Sequence, residues 1–148
     1  MLMVLALALV ACTPLATPGA PSLTETAPAP RLPGMISSAF VELAGERVYF
    51  ETGGIGTPVL MIHGIGAGNS SHLYRNNTLA LSKQHRVYAF DFPGFARSGA
   101  RAGMYTNDLY VAVIRDFIKT VVREPVMIVA AVTARITRCA SPRRNPVS

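Results

Sequence analysis

Apolar and polar positions change rhythm several times along the chain. Residues 1 to 11 are an unbroken apolar run, and residues 13 to 35 carry six prolines among Thr, Ala and Ser. From Ala39 the pattern becomes orderly: AFVEL and ERVYFET alternate, separated by Ala44-Gly45, which predicts a β-hairpin. Three unbroken apolar runs follow, PVLMIH (58 to 63), RVYAFD (86 to 91) and PVMIVA (125 to 130). Each suits a strand buried on both faces of a parallel sheet.

Helical spacing fills the intervals. Ser70 or Ser71 caps a predicted helix running to about Gln84, with Leu73, Leu79 and Leu81 as its apolar contacts. Thr106 or Asn107 caps a second, in which Leu109, Val113, Phe117 and Val121 recur every four residues and Glu124-Pro125 marks the stop. The order hairpin, β, α, β, α, β predicts the α/β class, with right-handed crossovers and a mostly parallel sheet. No internal repeat is visible.

The N-terminus reads as a targeting segment. Its eleven apolar residues are too few to span a bilayer as a helix, and match the hydrophobic region of a signal peptide. Leu9-Val10-Ala11-Cys12 resembles the lipobox of bacterial lipoproteins, which implies an exported protein tethered to a membrane through a lipidated Cys12. The missing Lys or Arg before the apolar run departs from that pattern and leaves open a misassigned start and a cytoplasmic location. The expected division is signal segment 1–12, proline-rich linker 13–38, α/β domain 39–130 and basic tail 131–148.

Charge adds little. Of the formal net charge of +6, four positive charges (Arg135, Arg138, Arg143 and Arg144) stand in the last fourteen positions, which hold no acid. The rest of the chain has ten basic residues against eight acidic ones. A basic, proline-containing end without aromatic residues does not fit a nucleic-acid surface. Two cysteines, Cys12 and Cys139, build neither a disulfide framework nor a zinc site, and no metal or cofactor is expected. The Gly64-x-Gly66 spacing has Asn69 where a dinucleotide fingerprint needs its third glycine, and the stretch has no lysine for a phosphate loop. Sequons at Asn69-Ser70-Ser71 and Asn76-Asn77-Thr78 carry no weight in a bacterial lipoprotein.

Two glycine turns carry the chemistry. VLMIHGIGAGNS (59 to 70) ends a strand in His63-Gly64-Ile65-Gly66, and VYAFDFPGFARSG (87 to 99) ends the next in Asp91-Phe92-Pro93-Gly94-Phe95-Ala96-Arg97-Ser98. Together, with Tyr105-Thr106 leading into the following helix, they resemble the N-terminal half of the α/β-hydrolase superfamily, whose second turn reads D-x-P-G-x-G-x-S. Ala96 stands where that pattern has its second glycine. The resemblance covers about residues 39 to 130 and implies hydrolysis of an ester or related small-molecule bond by a Ser-His-Asp/Glu mechanism. It implies that Ile65 or Gly66 donates a backbone N–H to an oxyanion hole, that His63 is structural, and that the second turn is scaffold.

The same resemblance expects a small-x-Ser-x-small elbow after the fifth strand. In IVAAVTARI (128 to 136), Ala130 and Ala134 take the small positions and Val132 takes the nucleophile's, and a valine cannot attack a carbonyl carbon. Sliding the register to Thr133 places Arg135 where a small residue belongs. No histidine follows His85 and no acid follows Glu124. Residues 131 to 148 lose both periodicities, as a shifted frame of a G+C-rich gene does.

The sequence therefore predicts a hydrolase fold truncated after its fifth strand, which becomes an exposed edge. The chain is expected to lack catalytic turnover, with no oligomeric state readable. The alternatives are a non-catalytic, membrane-anchored lipoprotein acting as an interaction module, and a chain completed by a separately translated partner.

Overall fold

The computed structural model describes residues 26–131. Two strands open the fold, β1 (Ser37–Leu43) and β2 (Glu46–Gly53), paired antiparallel from Ser37↔Thr52 to Leu43↔Glu46. Their connection is the two-residue turn read from the sequence. Ala44 (φ 51°) and Gly45 (φ 76°) both adopt left-handed backbone, the geometry whose twist matches that of a tight hairpin.

Three parallel strands complete the sheet: β3 (Pro58–Ile62), β4 (Arg86–Phe90) and β5 (Met127–Ala130). The spatial order is β1-β2-β4-β3-β5, with β2 antiparallel to β4 and β3 flanked by parallel β4 and β5. Alternate residues of the central strands feed two cores. Leu60, Ile62, Tyr88 and Phe90 join Phe92, Tyr110, Val113 and Phe117 on one face. Val59, Met61, Val87 and Ala89 join Leu32, Met35 and Tyr74 on the other. Covering both faces is what unbroken apolar strands require.

α2 (Asn107–Phe117) covers the first face. Thr106 caps it by accepting the Leu109 N–H at 3.2 Å. One wider turn, Ile118–Val122, extends it, and Arg123 at φ 62° ends it one residue before the predicted Glu124-Pro125 stop. The fully buried seam is Tyr110, Val113, Phe117 and Val122; Leu109 and Val121 of the predicted stripe sit on its flank.

Two expectations change. The helix predicted from Ser70 to Gln84 is instead a tight turn (Ser71–Tyr74) and a single helical turn, α1 (Thr78–Leu81). Asn76 and Asn77 interrupt it, being poor helix formers whose side chains compete for backbone hydrogen bonds. The break rotates Tyr74 and Thr78 inward and leaves Leu73 and Leu79 exposed.

The linker boundary at residue 38 also moves. Leu32 and Met35 are buried in the second core, and the buried Glu51 carboxylate accepts the N–H groups of Arg31 (3.0 Å) and Leu32 (2.9 Å). Prolines forbid a regular ladder there, yet the two residues between Pro30 and Pro33 keep their amides, and a buried anion takes both. Arg97 braces the same segment, donating to the Ala29 carbonyl at 3.0 Å and to the Tyr49 hydroxyl at 2.6 Å.

All four residues of β5 are exposed, as expected of a strand left at the edge, although its apolar run taken alone reads as a strand buried on both faces. Residues 1–12, expected to be a signal segment ending at Cys12, lie outside the described residues, as does the tail beyond Ala131.

Candidate functional site

Past its carboxyl end β3 runs toward the Tyr74 face, while β4 runs toward the α2 face. Where successive connections part to opposite faces, open α/β sheets leave a crevice above the strand ends, the usual place for a ligand. The two glycine turns stand at those strand ends.

His63, the first residue past β3, is fully buried. Its Nδ1 lies 2.9 Å from the Gly64 carbonyl oxygen, and its Nε2 lies 3.0 Å from the Phe92 backbone nitrogen. A nitrogen facing a carbonyl must donate and one facing an N–H must accept, so the ring is the neutral tautomer with its proton on Nδ1. Burial pushes its pKa below the usual histidine value, against smaller opposing effects of the Gly64 carbonyl and the Asp91 charge. With both nitrogens engaged, the ring fastens the turn after β3 to the turn after β4. Phe92 and Phe95 pack edge-on against it at 5.1 and 5.0 Å.

Beyond this lock stand Ile65 and Gly66. Ile65 is exposed, and the Gly66 carbonyl accepts the Asn69 N–H at 3.1 Å. A Cβ on Gly66 would stand 3.0 Å from Asn69 Nδ2. Among the described residues no acceptor takes the N–H of Ile65 or of Gly66. Two amide donors on this turn are available to an anion or a polarised carbonyl.

Asp91 is the hub of the second turn. One carboxylate oxygen accepts the Ser71 N–H at 2.8 Å and the other the Arg97 N–H at 3.2 Å. Its carbonyl accepts the Ser98 hydroxyl, whose oxygen accepts the Tyr49 N–H at 2.9 Å. The aspartate and serine of the motif thus brace the turn against β2 and against the residues after the first glycine turn. Gly94 (φ 87°) has the Tyr105 ring where a Cβ would stand. Ala96 adopts φ 41°, a left-handed backbone that glycine takes without strain.

One site residue has no signal in the sequence pattern. The Tyr74 hydroxyl lies 2.6 Å from the carbonyl oxygen of Ile62 and 3.3 Å from that of Val129, bridging the carboxyl ends of β3 and β5. Burial pushes its pKa up. The apolar spacing read Leu73, one residue earlier, as the inward position. The Ala131 N–H donates to the Ile62 carbonyl at 3.0 Å, so the chain beyond β5 departs beside His63. Val132, the residue assigned to the nucleophile position, and Thr133 after it lie outside the described residues. No cluster of three metal-binding side chains occurs among the described residues.

Comparison with known proteins agrees with this fold. The family profile described as the alpha/beta hydrolase fold matches residues 57–130. A 2-hydroxy-6-oxo-6-(2'-aminophenyl)hexa-2,4-dienoic acid hydrolase from Metapseudomonas resinovorans is 37% identical over 81 residues, 54% of this chain and 28% of that protein. Among solved structures, the Cif epoxide hydrolase from Acinetobacter nosocomialis superposes with a TM-score of 0.55 at 29% identity, covering 66% of this chain and 30% of that one. An epoxide hydrolase from Vigna radiata gives 0.60 at 27%, covering 66% and 32%. The chain thus spans about a third of the length of these relatives.

Proposed function

We propose that this chain, which belongs to the alpha/beta hydrolase fold family, supplies the oxyanion-binding corner of a hydrolase site and does not itself perform the nucleophilic step. One observation carries the reading: the Ile65 and Gly66 amides have no acceptor among the described residues, while His63 and Asp91 hold the turn that bears them. Such preorganised donors stabilise an oxyanion because no reorganisation is needed as its charge develops. The reaction of the whole protein is hydrolysis of an ester or related small-molecule bond. The named activities of its relatives, on a hexadienoic acid and on epoxides, lie in the same broad class. Val132, at the position the family gives its nucleophile, offers no lone pair, so no covalent acyl-enzyme forms here.

Titrating the full chain with benzoate while following backbone amides by NMR tests the corner. The Ile65 and Gly66 signals should move first and furthest; unmoved signals would overturn the reading. With p-nitrophenyl acetate or an epoxide the chain should show no turnover above the buffer rate, and sustained turnover would refute the inactive part.

The tether is a separate proposal, supported by Leu9-Val10-Ala11-Cys12: the protein is exported and held at a membrane by a lipid on Cys12. Loss of labelled fatty acid from the Cys12→Ala chain checks it, and equal labelling of both chains would refute it. A tethered, non-catalytic interaction module is the second functional reading, favoured by the exposed face of β5. A folded, monodisperse product that stays inactive when the downstream reading frame is intact would support it.

A further inference from the structure

At the end of the sheet opposite His63, three glycines stitch three loops together. A Cβ on Gly34 would strike Ser82 and the backbone of Leu79; one on Gly53 would strike Gly34 and Met35; one on Gly54 would strike the carbonyl oxygens of His85 and Ser82. The loops 33–36, 53–57 and 79–86 are therefore in backbone contact at the amino ends of β3 and β4, where Pro58 pairs with Arg86. Each loop presents an aliphatic side chain to solvent: Ile36 is 82% exposed, Ile55 77% and Leu79 52%. Ile55 stands between Gly54 (φ 79°) and Gly56 (φ 106°), in a turn that two left-handed glycines hold outward.

Lys83 and Arg86 are exposed on the same loops, and these loops contain no acidic residue. Glu124, after α2, pairs with Arg86 at 3.6 Å. Rigid, exposed aliphatics beside Lys83 and the Arg86–Glu124 pair leave this end with a net positive charge, which matches an anionic bilayer surface: apolar groups enter the acyl boundary and the ammonium group meets phosphates. Two features of the chain point to the same occupant. Residues 1–11 are apolar, and the fifteen positions from Cys12 to Thr26, three of them proline, give the chain enough length to reach about 40 Å. β4 is only about 17 Å long, so the spacer has the length to let this end of the domain face the membrane.

We infer that this glycine-stitched end lies against an anionic membrane, with Ile36, Ile55 and Leu79 at the headgroup boundary and Lys83 on lipid phosphates, turning the Ile65–Gly66 turn away from the bilayer. The inference rests on the membrane-tether reading and not on the hydrolase reading.

The chain has no tryptophan, so one introduced residue reports its surroundings alone. The full chain carrying Ile55→Trp, and separately Met104→Trp on the exposed loop after β4, is bound to phosphatidylethanolamine–phosphatidylglycerol vesicles whose acyl chains carry bromine. The expected result is quenching and a blue shift at position 55, with neither at position 104, and about a fivefold loss of vesicle affinity in Lys83→Gln. Equal quenching at both positions, or quenching at 104 alone, overturns the orientation while co-sedimentation still upholds the tether. Failure of both chains to sediment with vesicles overturns both. A position-55 spectrum already blue-shifted without vesicles shows that a second copy of the chain covers the face, and also overturns the inference.

Discussion

β3 and β5 lie side by side, run parallel and read alike in sequence, PVLMI and MIVA, yet every residue of β3 is buried and every residue of β5 is exposed. The difference lies in what surrounds them. β3 has a strand on each side, α2 and its aromatic residues over one face, and Leu32, Met35 and Tyr74 over the other. Its exit is fastened by His63, and the adjoining turns by Asp91. Among the described residues β5 has β3 as its one strand partner, and the side-chain hydrogen bond reaching it is that of Tyr74. An apolar run thus shows that a strand is suited to burial, while its neighbours decide whether it is buried.

The largest effect should come from truncating the covered strand. Leu60→Ala is expected to lower the unfolding free energy by about 3 kcal/mol, as cavities in closed cores do, whereas Ile128→Ala should cost less than about 0.5 kcal/mol. Urea midpoints of the two variants compare the strands directly. Equal losses would mean that β5 is covered after all.

Asp91→Ala comes next. It strips the acceptors from the Ser71 and Arg97 amides, with an expected cost of about 2 kcal/mol. Amide exchange should quicken through residues 64–71 and leave β5 unchanged.

Tyr74→Phe acts where the two strands meet. Removing the hydroxyl should cost about 1 kcal/mol and speed amide exchange at Met127–Ala130 more than at Pro58–Ile62. Ala96→Gly should act in the other direction, relieving left-handed strain by about 1 kcal/mol and tightening the braced side alone, measured as a raised melting temperature.

The smallest effect is that of pH. The folded-state pKa of His63 lies below the ordinary value of about 6.5. Between those two values the unfolded chain takes up a proton that the folded chain refuses, so its contribution holds above about pH 6.5 and is lost as pH falls through that window. Urea midpoints taken from about pH 8 to about pH 5 should decline on the acid side, and the His63 ring signal should remain that of the neutral form below the ordinary pKa. Full protonation of His63 at about pH 6.5 would break the account of the fastened turn.

Local chemistry was legible where it depends on neighbours in the chain. The hairpin at Ala44-Gly45, the Thr106 cap, the strands and the two glycine turns follow from positive-φ demands, capping oxygens and periodicities of two or about four residues. Tertiary contacts were not legible. The spacing that read Leu73 and Leu79 as inward assumed one helix, and Asn76-Asn77 broke it. The prolines of 13–38 read as a linker, because the buried Glu51 that receives Arg31 and Leu32 stands about twenty residues away on β2.

The candidate site divides in the same way. Residue identity marked His63, Ile65, Gly66 and Asp91, since a sharp turn past a buried strand needs glycines and a polar brace wherever it occurs. Only the folded chain shows that both nitrogens of His63 are engaged, that Tyr74 joins β3 to β5, and that the Ile65 and Gly66 amides have no acceptor among the described residues. Those facts depend on which distant groups arrive within hydrogen-bond distance, about 3 Å. Sequence spacing does not encode that distance until the two faces of the sheet are packed.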